Sequence, residues 1–167
     1  MAVNQALLPR VRVQTPAFDV TEEIAALHGQ DDRVGAVCSF LGTVREMHAP
    51  VSPDQTLTAL ELEHYPGMTE QALDAMVNAA LARFEILAAR IVHRVGVLQP
   101  LEPIVLVLVS SAHRGESFKA CEFLMDYLKT QAPFWKKEHT PSGGRWVDAR
   151  VSDDQALARW GAFTPNS

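Results

Sequence analysis

The chain has 167 residues, a formal net charge of −5, and 47% hydrophobic against 21% charged residues. Such a length suits one domain over 1–167 with a real core, and the balance excludes a disordered chain; its acidity argues against a general nucleic-acid binder, which needs a broad basic surface. The longest apolar run, Ile104 to Val109, is too short to cross a bilayer, and the start lacks a signal-peptide pattern, so a cytosolic protein with no membrane or nucleic-acid partner is expected.

In chain order, "VRVQTPAFDV" reads as a short strand broken by Pro16, and "TEEIAALH" as a short helix capped by Thr21 with two glutamates in its first turn. Gly35 to Arg45 reads as a buried strand, followed by a polar stretch around Pro50 and Pro53 that suits a mobile loop. "LTALELEHY" alternates, with Leu60 and Leu62 facing one way and Glu61 and Glu63 the other, the mark of a half-buried strand.

A long helix follows, capped by Thr69, with Leu73, Met76, Val77, Ala80, Leu81 and Phe84 at helical spacing. "RIVHRVGVL" and "PIVLVLVSS" are two strands separated by a turn; the second is apolar on both faces and therefore central in its sheet. A second helix, roughly 116–131, has Phe118, Cys121, Met125 and Leu128 as its core stripe and stops before Pro133. "PFWKKEH" and "RWVDARV" are strands around a glycine-bearing turn, and a short helix capped by Ser152 closes the chain. Mixed order, with neighbouring strands able to pair as hairpins, gives an α+β fold class.

Positive charge gathers at a few places in this acidic chain. Lys129 shares a helix side with Met125 and Phe118, on the flank of the buried stripe. Two readings stand: a lysine whose stem packs while its amine reaches water, or a lysine on a pocket wall where desolvation lowers its pKa for proton transfer. In the strand beyond Pro133, Phe134, Lys136 and Glu138 share one face, and Trp135 and Lys137 the other. Only one lysine of the pair can return toward Lys129, and alternation does not choose it.

His113 and Arg114 sit where a strand meets the second helix. There, free N–H groups favour an anion such as phosphate, although a solvated turn arginine is the plain alternative. Arg45 closes the strand before the Pro-rich loop. From Arg114 to Lys129 is roughly 22 Å of helix at ~1.5 Å per residue. If both ends serve one site, a symmetric dimer would join the start of one helix to the end of its partner's.

Neither cysteine, Cys38 or Cys121, forms a C-x-x-C pair, and no histidine spacing completes a metal site, so no metal or cofactor is expected. Both lie in apolar segments, which disfavours a persulfide carrier.

"LEHYPGMTEQAL", "SSAHRGESFKACEFLMDYLKTQAPFWKKE" and "GGRWVDA" resemble the large, catalytic subunit of molybdopterin synthase, over nearly the whole chain. The resemblance implies an α/β hammerhead-like fold with an additional β-rich subdomain. It also implies conversion of cyclic pyranopterin monophosphate into molybdopterin by installing a dithiolene. Sulfur would arrive on a small ubiquitin-like partner whose C-terminal Gly-Gly ends in a thiocarboxylate, within a heterotetramer built on a homodimer of this chain.

By the same resemblance Lys129 and Lys136 are the catalytic lysines. Arg45, His113, Arg114, Lys137, Glu138 and Phe40 are substrate-binding residues. Thr43 stands where some members carry a lysine, so one phosphate or pterin contact is expected to differ. Two other readings are a scaffold that binds the ubiquitin-like carrier without catalysis and a module that binds RNA through "PFWKK".

Overall fold

The computed structural model describes residues 9–29, 31–46, 52–147, 155 and 158–161. Their order is β1 (Val11–Gln14), α1 (Val20–His28), β2 (Ala36–Thr43), β3 (Ala59–His64), α2 (Met68–Arg83), β4 (Ala88–Arg94), β5 (Gly96–Leu98), β6 (Pro103–Ser111), α3 (Arg114–Gln131), β7 (Phe134–Thr140) and β8 (Gly143–Val147). Two four-stranded sheets result, one ordered β1-β4-β6-β2 and one ordered β5-β3-β7-β8. The α+β expectation holds. Among the described residues no helix is long and apolar enough to cross a membrane.

As its composition demands, β6 is central, with β4 and β2 antiparallel on its two sides. Val105, Val107 and Val109 face α2 and α3 in one apolar cluster with Leu73, Val77, Phe123 and Leu124. Leu106 and Leu108 face the other way, into a smaller cluster with Leu27 beneath α1. Helices thus cover both faces of this sheet, which is why the strand is apolar at every position from Ile104 to Val109.

"RIVHRVGVL" is not one strand. It breaks at Val95, and Gly96 takes φ 89, a left-handed conformation that suits glycine. Before the break β4 pairs with β6; after it β5 pairs with β3. The chain therefore passes from one sheet into the other here, and Leu62, Val95, Leu98, Val44 and Leu57 pack at the join.

Several sequence expectations change. The α1 cap is Asp19, whose carboxylate accepts from Glu22 N at 3.0 Å, not Thr21; aspartate is the stronger cap, and it starts the helix at Val20, which packs inward. Thr69 does not cap α2. The helix starts at Met68, and Gly67 N donates to Glu70 at 2.6 Å. The buried Thr69 hydroxyl instead accepts from Tyr65 N and donates to the Pro133 carbonyl at 3.1 Å. It ties the exit of β3 to the start of β7.

Contrary to expectation, β2 is not buried throughout. It is the edge of its sheet, with Phe40 and Leu41 exposed. Phe118 leaves the core stripe of α3, 59% exposed, while Ser117, Cys121, Leu124, Met125 and Leu128 are buried. The stretch after 147 and most of the expected closing helix, Ser152 included, lie outside the described residues, as does Pro50. Pro53–Gln55 forms a single 3-10 turn.

Beneath α1, Glu23 is 4% exposed and joins two guanidiniums, Arg12 of β1 and Arg90 of β4. Arg90 reaches it through Nε and a terminal nitrogen, at 3.1 and 2.9 Å. Burial lowers both arginine pKa values from the ordinary range, and for Arg12 the neighbouring Arg90 charge adds to it. Removing the carboxylate leaves two cations together in a desolvated place. Glu23→Ala is expected to lower unfolding free energy by about 3–5 kcal/mol in a urea melt. A loss below roughly 1 kcal/mol, the range of exposed pairs, would show that the buried pair does not hold α1 in place.

Candidate active site

An open cleft of about 1020 Å³ lies where the two sheets meet. The seam builds it. The end of β2 supplies Phe40 to Thr43, followed by Arg45; β4 supplies His93; the start of β6 supplies Ile104 and Val105. From α3 come Met125, Leu128, Lys129 and Thr130, from β7 Phe134, Lys136 and Glu138, and from β8 Arg145. Among the described residues its walls carry four basic side chains, Arg45, Lys129, Lys136 and Arg145, against two carboxylates, Glu46 and Glu138. Of the latter, Glu138 is already paired with Arg145 at 3.2 Å across the β7–β8 hairpin. An anion entering the cleft therefore meets a surplus of positive charge.

The choice that strand alternation leaves open, and that the resemblance made for Lys136, is visible in the register. Phe134, Lys136 and Glu138 occupy the cleft face of β7, where Lys136 pairs with Leu62 and Val147. Lys137 points to the opposite face. There its ammonium sits 5.5 Å from the centroid of the Trp146 ring, and it does not line the cleft. The α3 helix ends at Gln131, and Ala132 turns the chain into β7, so Lys129 and Lys136 line one cleft from two elements.

Of the sequence candidates, the protomer brings together Phe40, Arg45, Lys129, Lys136 and Glu138. His113 and Arg114 stand at the far end of α3, both exposed, with His113 at the N-cap. Thr43 lines the cleft beside Arg45.

Two cleft residues escape sequence reasoning. Arg145 was legible in principle, because a turn closed between Thr140 and Gly143 pairs position 138 with 145. His93 carries no local signal: it is one of three polar residues in β4, with Arg90 and Arg94, and nothing in the pattern sets it apart. It is 3% exposed and stacks flat on Phe134, with ring centroids 3.8 Å apart and planes 17° from parallel. Its Nδ1 lies 2.7 Å from the Arg94 carbonyl oxygen. Burial pushes its pKa down to about 4; the bond to the Arg94 carbonyl opposes this, and the charges of Lys136 and His64 add to it.

Among the described residues no group of three or more histidine, cysteine, aspartate or glutamate side chains gathers to hold a metal. Cys121 is buried, and desolvation followed by the influence of Cys38 pushes its thiol up to about 12. A thiol of that pKa is almost wholly protonated near neutrality and a poor sulfur nucleophile.

Fold and cleft together define an α+β protein with a cationic recess, between two sheets, suited to anionic ligands. The family model described as "MoaE protein" matches residues 13–131, and the chain belongs to that family. The molybdopterin synthase catalytic subunit of Ralstonia nicotianae is 55% identical over 160 residues, 96% of this chain and 89% of the relative. A solved molybdopterin biosynthesis MoaE protein from Burkholderia ambifaria superimposes with TM-score 0.77 at 52% identity, covering 92% of this chain and 98% of the other. A protein–protein complex of subunits 1 and 2 of molybdopterin-converting factor from Helicobacter pylori shares the fold, with TM-score 0.68 at 17% identity over 85% of this chain and 92% of that one.

The depressed pKa of His93 has a consequence for stability. Its folded value, about 4, lies below the ordinary 6.5. As pH falls through that interval the unfolded chain binds a proton that the native chain refuses, so stability falls with it. The contribution is roughly 3 kcal/mol, present in full above about pH 6.5 and lost on approaching pH 4. Urea melts across that range should show a slope that His93→Phe removes. An unchanged slope in the variant would place the ring in water rather than in the wall of the cleft.

Proposed function

We infer that this chain is the sulfur-transferring catalytic subunit of molybdopterin synthase, acting in molybdenum cofactor biosynthesis. It converts cyclic pyranopterin monophosphate into the dithiolene-bearing molybdopterin. The observation that carries this reading is the convergence of Lys129 from the end of α3 and Lys136 from β7 on one cationic cleft beside Arg45. The names of the chain's close relatives support the same activity.

The chemistry brings two anions together: a cyclic phosphate and a thiocarboxylate at the Gly-Gly end of a small ubiquitin-like carrier subunit. Cations in a partly dry recess offset their repulsion. Arg45 binds the phosphate-bearing substrate, with Phe40 on the same wall. The carrier's thiocarboxylate sulfur attacks a carbon of the substrate, and as the new C–S bond forms a C–O bond at that carbon breaks, its oxygen leaving with a proton supplied from the cleft. Water then attacks the acyl carbon, its C–S bond breaks, and the carrier leaves as a carboxylate. Lys129 and Lys136 flank that carbon, stabilise the oxyanion that forms on it, and move protons. Lys137, on the far face of β7, and Glu138, paired to Arg145, support the segment that presents Lys136.

His113 and Arg114 take part through a homodimer. Arg114 and Lys129 stand at opposite ends of α3, roughly 22 Å apart at ~1.5 Å per residue, a distance no small ligand spans. In the dimer the start of α3 in one protomer completes the cleft of its partner, and carriers bound at both ends make a heterotetramer. The Helicobacter pylori fold neighbour, solved as a complex of two subunits, is consistent with a separate carrier.

The test is reconstitution from this chain, a thiocarboxylated carrier and the cyclic substrate, with product read by mass spectrometry. Lys129→Ala is expected to slow turnover by about 100- to 1,000-fold, with carrier binding kept in calorimetry. Near-wild-type turnover would remove Lys129 from the mechanism, and carrier binding without any turnover by the unmodified chain would make it a scaffold. Mixing Arg114→Ala and Lys129→Ala chains should restore activity above either mutant dimer, because one of the two shared clefts is then intact. No recovery would confine each site to one protomer.

A further inference from the structure

His93 is a buried polar residue that the chemistry above leaves unused. It lies at the last turn of pairing before β4 gives way to β5, opposite Val105 of β6. Strand alternation puts it on the side of Ile91, the face of the sheet covered by α2 and α3. That brings it under the end of the helix that carries Lys129 and against Phe134, two residues before Lys136 on the same face of β7. An aliphatic side chain would fill this place without the cost of burying an imidazole.

Hydrogen bonding determines the state of the ring. A carbonyl oxygen can only accept, so at 2.7 Å from the Arg94 carbonyl Nδ1 carries the proton and donates. A neutral ring has one N–H, so Nε2 holds a lone pair. The stack on Phe134 fixes the plane in which that lone pair points. The charged side chains on the cleft walls are mostly hydrogen-bond donors, and one of the two carboxylates is already engaged by Arg145. A neutral acceptor is therefore a distinct element of the site.

We propose that His93 is a positioning residue for the sulfur-transfer reaction: in the loaded cleft its Nε2 accepts a hydrogen bond from the Lys136 ammonium and aims that ammonium at the reacting acyl carbon. The Lys136 charge already bears on the ring. Among the described residues, the other titratable groups that face this region include His64 of β3, itself 3.5 Å from Glu70, and Lys129, Arg45 and Glu138 on the cleft walls. A ring that stays neutral around pH 7 is a constant acceptor; it neither repels the lysine nor takes its proton. This inference rests on the assignment of Lys136 given above.

Kinetics and spectroscopy test it together. In the reconstituted enzyme, His93→Phe keeps a flat ring against Phe134 but removes the acceptor, and kcat should fall by about 10- to 100-fold, the worth of a hydrogen bond to a charged group, with KM little changed. His93→Gln returns an acceptor near the Nε2 position and should recover kcat to within about threefold of the parent. In a Lys136→Ala background His93→Phe should cost nothing more. NMR of 15N-histidine-labelled chain, in complex with the carboxylate form of the carrier, should show the Nδ1–H tautomer and an Nε2 resonance that moves on Lys136→Ala.

An Nε2–H tautomer, or an Nε2 signal indifferent to Lys136, would overturn the proposal. So would equal kcat losses in the Phe and Gln variants, or a His93→Phe loss that persists in full without Lys136; each marks a role in stability alone. Full activity in Lys136→Ala would instead overturn the assignment of the lysine. The NMR arm reads the tautomer and the contact whatever the rates prove to be.

Discussion

Antiparallel pairing of β4 with β6 is the contact on which the rest depends. Both strands are buried almost from end to end, so neither has a solvent face that would permit a slip in register. That fixed register sets the direction in which β6 delivers the chain to α3, and hence where the helix ends. It also sets where β4 must stop. Beyond Val95 the chain leaves this sheet and pairs with β3 in the other. The cleft is the gap left along that change of partner.

Each catalytic candidate inherits its position from this arrangement. Lys129 is carried by a helix whose buried side, from Ala120 to Leu128, is clamped on β6 and β2. Lys136 is carried by a strand held between β3 and β8. The Thr69 hydroxyl, bonded at Tyr65 and Pro133, fixes the corner between them. Sites that hold two amines at a working separation need such rigid supports, because a lysine side chain has four flexible bonds of its own.

The cleft also explains why an acidic protein carries a cationic site. Net charge acts over the whole surface and falls off within a Debye length, whereas charges along a concave wall add locally. Glutamates elsewhere, such as Glu23 and Glu61, are spent on structural partners, Arg90 and His139. Little of the negative charge faces the recess. Phe134 and His93, both on its wall, form a stacked aromatic pair.

Much of this was legible in the chain alone. Periodicity found α2, α3 and β6, and Pro133 ended α3 where it ends, because local pattern and burial follow from the same alternation of side chains. The resemblance in the segments around His113 and from Asp126 to Glu138 identified the family. Edge exposure was not legible: an apolar β2 looks buried until one knows that no strand pairs with its outer side among the described residues. The break at Val95, the turning of Lys136 inward and Lys137 outward, and the stacking of His93 on Phe134 were decided only by tertiary structure. They depend on pairings between separate elements, such as Leu62 with Gly96, Leu62 with Lys136 and His93 with Phe134, and no local propensity carries information over such distances; it resides in strand register, which packing of the two sheets determines.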